Sequence, residues 1–260
     1  MLFPERIETL ESRLLLAGNV TAVLKGSTLV ITGDAAGNSI LVTETDDHAF
    51  SVQGRDTSVN GVVDGLATFE GVSNIKIDLK GGNDFFSMMG DLHAELKSVS
   101  VKLGDGDDDA ASVINGGSGT IYAGIHKMRI AKLTVDTGDG DDTFVLAGSQ
   151  INKSLNAKSG DGDDVVTISS NIISGKVAVN TGNGNDVANF HSTGGTVFTK
   201  AVSIKMGAGN DTVNLQPIFG SITFHEQFKL DGGPGFDKLV QNSSGGDIVF
   251  LGGTSLKNLE

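Results

Sequence analysis

The sequence predicts an all-β fold, a single-domain parallel β-helix (solenoid) with about 22–26 residues per coil. A glycine- and aspartate-rich phrase recurs at nearly constant spacing, and each copy stands between short segments of alternating apolar and polar residues. The composition agrees, because 37 glycines and only 3 prolines favour many tight turns joined by regular strands.

The last aspartate of each phrase marks the register of the repeat. The phrases are KGGND (80–84), LGDGDD (103–108), TGDGDD (137–142), SGDGDD (159–164), TGNGND (181–186), MGAGND (206–211) and GGPGFD (232–237). The marks are Asp84, Asp108, Asp142, Asp164, Asp186, Asp211 and Asp237, with gaps of 24, 34, 22, 22, 25 and 26 residues. Three short strands and three turns need about 20–25 residues, so five gaps fit one coil each.

The irregular gaps predict where the repeat is interrupted. The gap of 34 indicates an insertion of roughly half a coil within residues 109–129. Asn38 stands at the marked position of a decayed copy, 46 residues before Asp84, which predicts two coils between them. The repeat domain is therefore expected over residues 18–260, preceded by a head at 1–17 that is a candidate capping or sorting helix.

The segments beside the phrases read as strands. VSVKL (99–103) and LTVDT (133–137) precede a phrase, and TFVL (143–146) follows one, each with apolar residues at alternate positions. A strand–turn–strand unit also fits the hairpins of an antiparallel sandwich. The constant place of the phrase between its strands favours the solenoid.

Charge and composition exclude several functions. The net charge is −13 and the protein is expected to have no basic patch, so neither nucleic acid nor an anionic membrane surface is expected as a partner. No stretch of apolar residues is long enough to span a bilayer, and cysteine is absent. One tyrosine, no tryptophan and no known catalytic motif predict a protein that is not an enzyme, with no catalytic residues.

Stacked coils would place the phrase carboxylates in columns. Two carboxylates about 4 Å apart repel by about 1 kcal/mol in water and by more near a protein surface. A cation between the coils, or raised pKa values, would relieve this repulsion. Lys80, Lys102, Lys158 and Lys205 precede the phrases and offer a metal-free neutralisation, while aspartate and asparagine at turns also serve as simple turn caps.

The phrases resemble the glycine- and aspartate-rich turns of RTX (hemolysin-type) proteins, which bind Ca²⁺ between successive coils. Gly104, Gly106 and Asp108 match the last part of that motif, as do the equivalent residues of the next two phrases. RTX repeats recur every nine residues and carry sites on two sides of the roll. Here the period is about 22–26 residues, so only one edge of the solenoid would carry sites. The implied calcium ligands are Asp105, Asp107, Asp108, Asp139, Asp141, Asp142, Asp161, Asp163, Asp164, Asp186 and Asp211.

The head LESRLLLAG (10–18) resembles the LEPR-x-LL head of secreted repeat proteins from planctomycete bacteria, with Ser12 in place of the usual proline. The resemblance implies a bacterial protein that is secreted or held at the cell surface. We therefore expect a non-catalytic, calcium-binding β-helix with a structural or adhesive role. Two alternatives stay open: a metal-independent β-helix that binds a protein or polysaccharide, and a polysaccharide lyase or hydrolase.

Overall fold

A computed structural model describes residues 18–110, 113–116, 119–122 and 124–260, and these form the predicted parallel β-solenoid. The head at 1–17, with its expected helix, lies outside the described residues. Among those residues there is no α-helix, and hence no helix able to cross a bilayer. The strands follow the alternation of the sequence: in LTVDT, Leu133 and Val135 are buried while Thr134 is exposed.

The described strands divide along the chain into an N-terminal group, a central group of coils and a C-terminal group of coils. The first group is β1 (Asn19–Lys25), β2 (Thr28–Thr32), β3 (Ser39–Asp46), β4 (Ala49–Gly54), β5 (Ser58–Val59), β6 (Val62–Val63), β7 (Leu66–Phe69), β8 (Asn74–Asp78) and β9 (Phe85–Met89). The next is β10 (Glu95–Asp105), β11 (Asp109–Ala110), β12 (Val113–Gly116), β13 (Gly119–Tyr122), β14 (Gly124–His126), β15 (Arg129–Asp139), β16 (Thr143–Ala147), β17 (Gln150–Asp161) and β18 (Val165–Ser169). The last is β19 (Ile172–Ile173), β20 (Lys176–Asn183), β21 (Val187–Ser192), β22 (Thr196–Phe198), β23 (Val202–Ala208), β24 (Thr212–Pro217), β25 (Ile222–Phe224), β26 (Phe228–Asp231), β27 (Lys238–Gln241), β28 (Ile248–Phe250) and β29 (Thr254–Lys257).

Each regular coil contributes one strand to each of two parallel sheets. The first sheet contains the strands before the phrases, in the order β8, β10, β15, β17, β20, β23, β26 and β29. The second contains the strands after the phrases, β9, β16, β18, β21, β24 and β27. A short third strand (β19, β22, β25, β28) closes each later coil, whereas in β17 it is continuous with the first-sheet strand.

The N-terminal end is closed by antiparallel strands. β1 pairs with β2, and β4 pairs with both β3 and β7, all antiparallel. β2 pairs directly with β8 and β3 with β9, both parallel, so Asn38 and Asp84 are one coil apart. The prediction of two coils between them is wrong, because the additional residues leave the repeat as β4–β7 and cover the end of the core.

The gap of 34 residues contains the predicted insertion within a single coil. β11 and β14 both belong to the second sheet, between β9 and β16. Between them the chain leaves the sheet as an antiparallel hairpin of β12 and β13. Residues 108 and 142 therefore lie in adjacent coils despite their separation in sequence.

Stacking also orders the core. Val, Ile and Leu fill most inward positions and are almost fully buried. Phe198, Phe224 and Phe250 occupy one inward position in successive coils, with ring centroids 4.9 and 5.1 Å apart and rings tilted by only 5° and 8°. Ring stacking of this kind strengthens the coil-to-coil contact beyond simple burial.

The phrase glycines are required by both conformation and space. Gly138 and Gly140 have φ values of 118° and 137°, which residues with a side chain rarely adopt. A Cβ at Gly138 would overlap the carbonyl oxygen of Gly104, and one at Gly140 would overlap that of Gly106. The turns therefore stack closely only because these positions lack a side chain.

Gly140→Ala is expected to lower the free energy of unfolding by at least about 2 kcal/mol, from backbone strain and overlap with the preceding coil. Gly194 has open space around its missing Cβ and is the matched control. Gly194→Ala should change stability by less than about 0.5 kcal/mol. Denaturant titration measures both, and equal effects would contradict this explanation of the phrase.

Candidate functional site

The phrases form the edge where the first sheet turns into the second. β15 ends at Asp139 and β16 begins at Thr143, so residues 140–142 complete the turn between them. Parallel pairing stacks Gly138 on Gly104 and Asp139 on Asp105. Equivalent phrase residues therefore lie above one another, and the aspartates form three columns.

The three columns are defined by position in the phrase. The first column is Asp105, Asp139 and Asp161, and the middle column is Asp107, Asp141 and Asp163. The inner column is Asp84, Asp108, Asp142, Asp164, Asp186, Asp211 and Asp237. First-column and middle-column side chains are exposed, whereas every inner aspartate is at most 2% exposed.

A continuous ladder of hydrogen bonds runs along the inner column. The main-chain N–H of Asp108 donates to Oδ1 of Asp142 at 2.8 Å, and that of Asp142 donates to Oδ1 of Asp164 at 2.9 Å. The same bond links every other neighbouring pair, from Asn38 at one end to Asp237 at the other. Each inner side chain thus satisfies a buried N–H of the preceding coil.

The second oxygen of each inner carboxylate is left without a partner. Oδ2 of all seven inner aspartates is buried and accepts no hydrogen bond from the described residues. Thr137 and Thr181 lie beside Asp142 and Asp186, and their hydroxyls partly oppose the burial that raises the pKa of these two carboxyls. In the geometry of the structure, however, Thr137 donates to the carbonyl of Ser159 at 3.4 Å and Thr181 to that of Met206 at 2.7 Å. A buried, unpartnered carboxylate oxygen is costly unless a proton or a cation accompanies it.

Burial accordingly raises the pKa of six inner carboxyls, from Asp84 to Asp211 along the column. Loss of hydration is the main cause, and the ladder hydrogen bonds oppose it only in part. The pKa of Asp108 and of Asp164 rises to about 8, and that of Asp84 to about 7. The pKa of Asp142 and of Asp211 rises to about 6. The pKa of Asp186 is also raised by burial.

The middle column carries a second ladder of opposite direction. The N–H of Asp141 donates back to Oδ1 of Asp107 at 3.1 Å, and that of Asp163 to Oδ1 of Asp141 at 2.8 Å. Asn185 continues the series with a bond of 2.6 Å to Asp163. The middle side chains therefore reach forward to the next coil, while the inner ones reach back.

The first column is less regular. The N–H of Asp161 donates to Oδ1 of Asp139 at 3.3 Å, and Nδ2 of Asn183 donates to Oδ1 of Asp161 at 2.7 Å. In the next coil, Asn183 and Asn185 replace the exposed aspartates, keep hydrogen bonds to the preceding coil and carry no charge. The acidic part of the exposed edge is confined to residues 105–163.

The structure separates the predicted calcium ligands rather than gathering them in one group. Asp108, Asp142, Asp164, Asp186 and Asp211 lie in the inner column, and the other six lie in the two exposed columns. Asp84 and Asp237 join the inner column but were predicted only as register marks. Their burial had a signal in the sequence, because this position alone is aspartate in all seven phrases.

The lysines before the phrases do not neutralise the edge. Lys102, Lys158 and Lys205 point outward from the first sheet, where Lys102 pairs in register with Asp136 and Lys205 with Asp231. No lysine forms an ion pair with a phrase aspartate within the described part of the chain.

The donor set suits a hard cation, with one restriction. All available ligands are oxygens of carboxylates and main-chain carbonyls, which Ca²⁺ prefers. Among the described residues, however, no three acidic or histidine side chains converge to hold a metal. A bound ion would therefore depend on the unpartnered inner oxygens together with main-chain oxygens of the glycine turns.

Comparison with known proteins adds no family to this description. No protein-family model, no curated protein sequence and no solved structure matches the chain.

Without metal, the protein is expected to lose stability as the pH rises from about 4 to about 8. Five inner carboxyls, those of Asp84, Asp108, Asp142, Asp164 and Asp211, have folded-state pKa values of about 6 to about 8, above the ordinary 3.8. Their stabilising contribution is complete below the unfolded pKa and is lost as the pH passes the folded values. Thermal melts in chelator across this range measure it, and a stability that rises towards pH 8 would contradict the buried column.

Replacements of Asp164 separate its hydrogen bond from its charge. Asp164→Ala leaves the N–H of Asp142 buried without an acceptor and should cost about 1–3 kcal/mol. Asp164→Asn keeps an acceptor oxygen for that N–H and removes the charge. In chelator at pH 8, Asp164→Asn should be at least as stable as the wild type. Equal destabilisation by both replacements in denaturant titrations would exclude the charge penalty.

Proposed function

We propose that this protein is a non-catalytic, calcium-binding β-solenoid with a structural or adhesive role at the bacterial cell surface. The observation that carries the proposal is the inner column, in which seven stacked carboxylates are buried and each leaves Oδ2 without a partner. A column of this kind is stabilised by bound cations or by protons, and no lysine forms an ion pair with it within the described residues.

Calcium, when bound, supplies that charge and accepts six to eight oxygen ligands in a flexible arrangement. The residues best placed to hold it belong to the phrases at 137–142 and 159–164, which are adjacent coils without an insertion. Asp142 and Asp164 offer unpartnered buried oxygens, and Asp141 and Asp163 add charge on the exposed side. In later coils asparagines replace the exposed carboxylates, so Asp186 and Asp211 would contribute with less accompanying charge.

A non-catalytic role is supported by the surface chemistry. The carboxylates of the edge hydrogen-bond to neighbouring coils, which commits them to holding the stack together. The head resemblance, at residues outside the described part, supports secretion. Rigid stacking by cation and hydrogen bonds fits a stalk or scaffold that must persist outside the cell.

A metal-independent solenoid is the second candidate. The raised pKa values show how protons alone can neutralise part of the inner column near neutral pH. The two candidates differ in what replaces the protons when the pH rises. Calcium would compete with protons for the same oxygens, so its effect should grow with pH.

Millimolar Ca²⁺ at pH 8 should raise the melting temperature by at least about 5 °C relative to chelator, through preferential binding to the folded state. At pH 5 the rise should be smaller, because protonated carboxyls bind the ion weakly. Differential scanning calorimetry at both pH values measures this.

Asp142→Asn/Asp164→Asn should abolish most of the calcium effect. Asp46→Asn/Asp47→Asn, in an exposed turn away from the edge, removes the same charge and is the control. An unchanged melting temperature with Ca²⁺ in the wild type would refute calcium binding and leave the metal-independent solenoid.

A further inference from the structure

The first sheet carries a concentration of lysines that the linear sequence does not show. Its outward positions lie in eight five-residue windows that stack in register: 74–78, 98–102, 132–136, 154–158, 176–180, 201–205, 227–231 and 253–257. We call this surface the lysine face. Each window contains one lysine, and all eight are exposed: Lys76, Lys102, Lys132, Lys158, Lys176, Lys205, Lys229 and Lys257.

The lysine face has the opposite charge from the rest of the protein. Its only acidic residues are Asp78, Asp136 and Asp231, so eight positive and three negative charges give a net charge of +5. The whole chain has a net charge of −13. The expectation that the protein has no basic patch is therefore wrong, because lysines about one coil apart in sequence are brought together by stacking.

The lysines follow a regular pattern along the face. Lys102, Lys158, Lys205 and Lys257 occupy one row at every second coil. Asp136, Asn180 and Asp231 stand between them in that row, and Asp78 precedes Lys102 at its start. Two coils correspond to about 10 Å at the usual strand spacing. The other lysines occupy the intervening coils. The face thus presents positive charge at regular intervals over its full length.

This pattern is specific to one sheet. In the second sheet, the strands β9, β16, β18, β21 and β24 contain no lysine, arginine, aspartate or glutamate, and Lys238 of β27 is the one lysine among the described strands of that sheet. A general need for solubility would place lysines on both sheets. Among the eight lysines, only Lys257 forms an ion pair within the described residues, with Asp231 at 3.0 Å.

The lysine face also contains two depressions that suit a ligand. A shallow depression of about 500 Å³ is lined by Lys205, Lys257, Asn180 and Asn258, together with Asp231, which pairs with Lys257. A smaller one of about 150 Å³ lies beside it, lined by Lys229 and by the hydroxyl residues Ser203 and Ser255. Lysines would meet anionic groups there, and the serines and asparagines can hydrogen-bond to hydroxyls.

We propose that the lysine face binds an extended acidic polysaccharide whose carboxylates meet the lysine rows and whose hydroxyls meet the neighbouring serines and asparagines. Nucleic acid fits less well, because the face has neither arginine for bidentate phosphate contacts nor aromatic side chains for stacking bases. The interleaved aspartates accept hydrogen bonds from sugar hydroxyls but would repel a dense row of phosphates. The proposal does not depend on calcium binding at the acidic edge that the phrases form.

The test compares two variants with the same change in charge. Lys102→Gln/Lys158→Gln/Lys205→Gln/Lys257→Gln removes one row of the face. Lys25→Gln/Lys127→Gln/Lys153→Gln/Lys238→Gln removes four exposed lysines outside it. Binding to immobilised carboxymethyl dextran and to neutral dextran is measured at about 50 mM and about 300 mM NaCl, with calcium or with chelator. Melting curves establish that both variants are folded.

The wild type should bind carboxymethyl dextran at low salt, and this binding should weaken steeply at higher salt. It should not bind neutral dextran. The face variant should bind at least about tenfold more weakly and the control within about twofold of wild type. Equal losses in both variants, or no binding by the wild type, would overturn the proposal. So would equal or tighter binding of a single-stranded oligonucleotide, or self-association that depends on the face lysines, which would identify the acidic edge of a second copy as the occupant.

Discussion

The dependence of each coil on its neighbours governs this structure. Strands about 4.8 Å apart place every side chain directly above its equivalent in the previous coil. A residue type that repeats in sequence therefore becomes a column in space, whether it is phenylalanine in the core or aspartate at the edge. The close approach is possible only where the turn lacks side chains, as at Gly140. Charge, packing and backbone conformation are consequently set together, by the same spacing.

The sequence was sufficient for the period, the place of the phrases and most strands, because all three are local patterns. It failed where the outcome depended on which coils are neighbours. The 46 residues between Asn38 and Asp84 fit two coils by length, yet direct pairing of β3 with β9 makes them one. The separation of Asp108 from Asp107 into buried and exposed columns also required the geometry of the turn. So did the lysine face, since its members lie far apart in sequence and only the register aligns them.

Repulsion between like charges in stacked coils is avoided in different ways on the first sheet and at the edge formed by the phrases. On the first sheet, Lys102 and Asp136 alternate along a row, so stacking places opposite charges next to each other. At the edge, stacking places like charges together, and the carboxylates must share protons or attract cations. A row of alternating charge is not destabilised by stacking, whereas a column of one charge responds to its surroundings. The edge is therefore the part of the fold whose state depends on pH and ions.

Because the two ladders run in opposite directions, the number of coils can change in evolution without breaking either ladder. Each phrase accepts a hydrogen bond from the coil before it through its inner aspartate and from the coil after it through its middle residue. Every interior coil thus makes the same connections on both sides. Duplication or loss of one complete repeat would join equivalent surfaces and leave both ladders continuous. Unequal recombination within such a gene would yield longer or shorter solenoids with the same coil structure. The length of the protein can therefore evolve without a new fold.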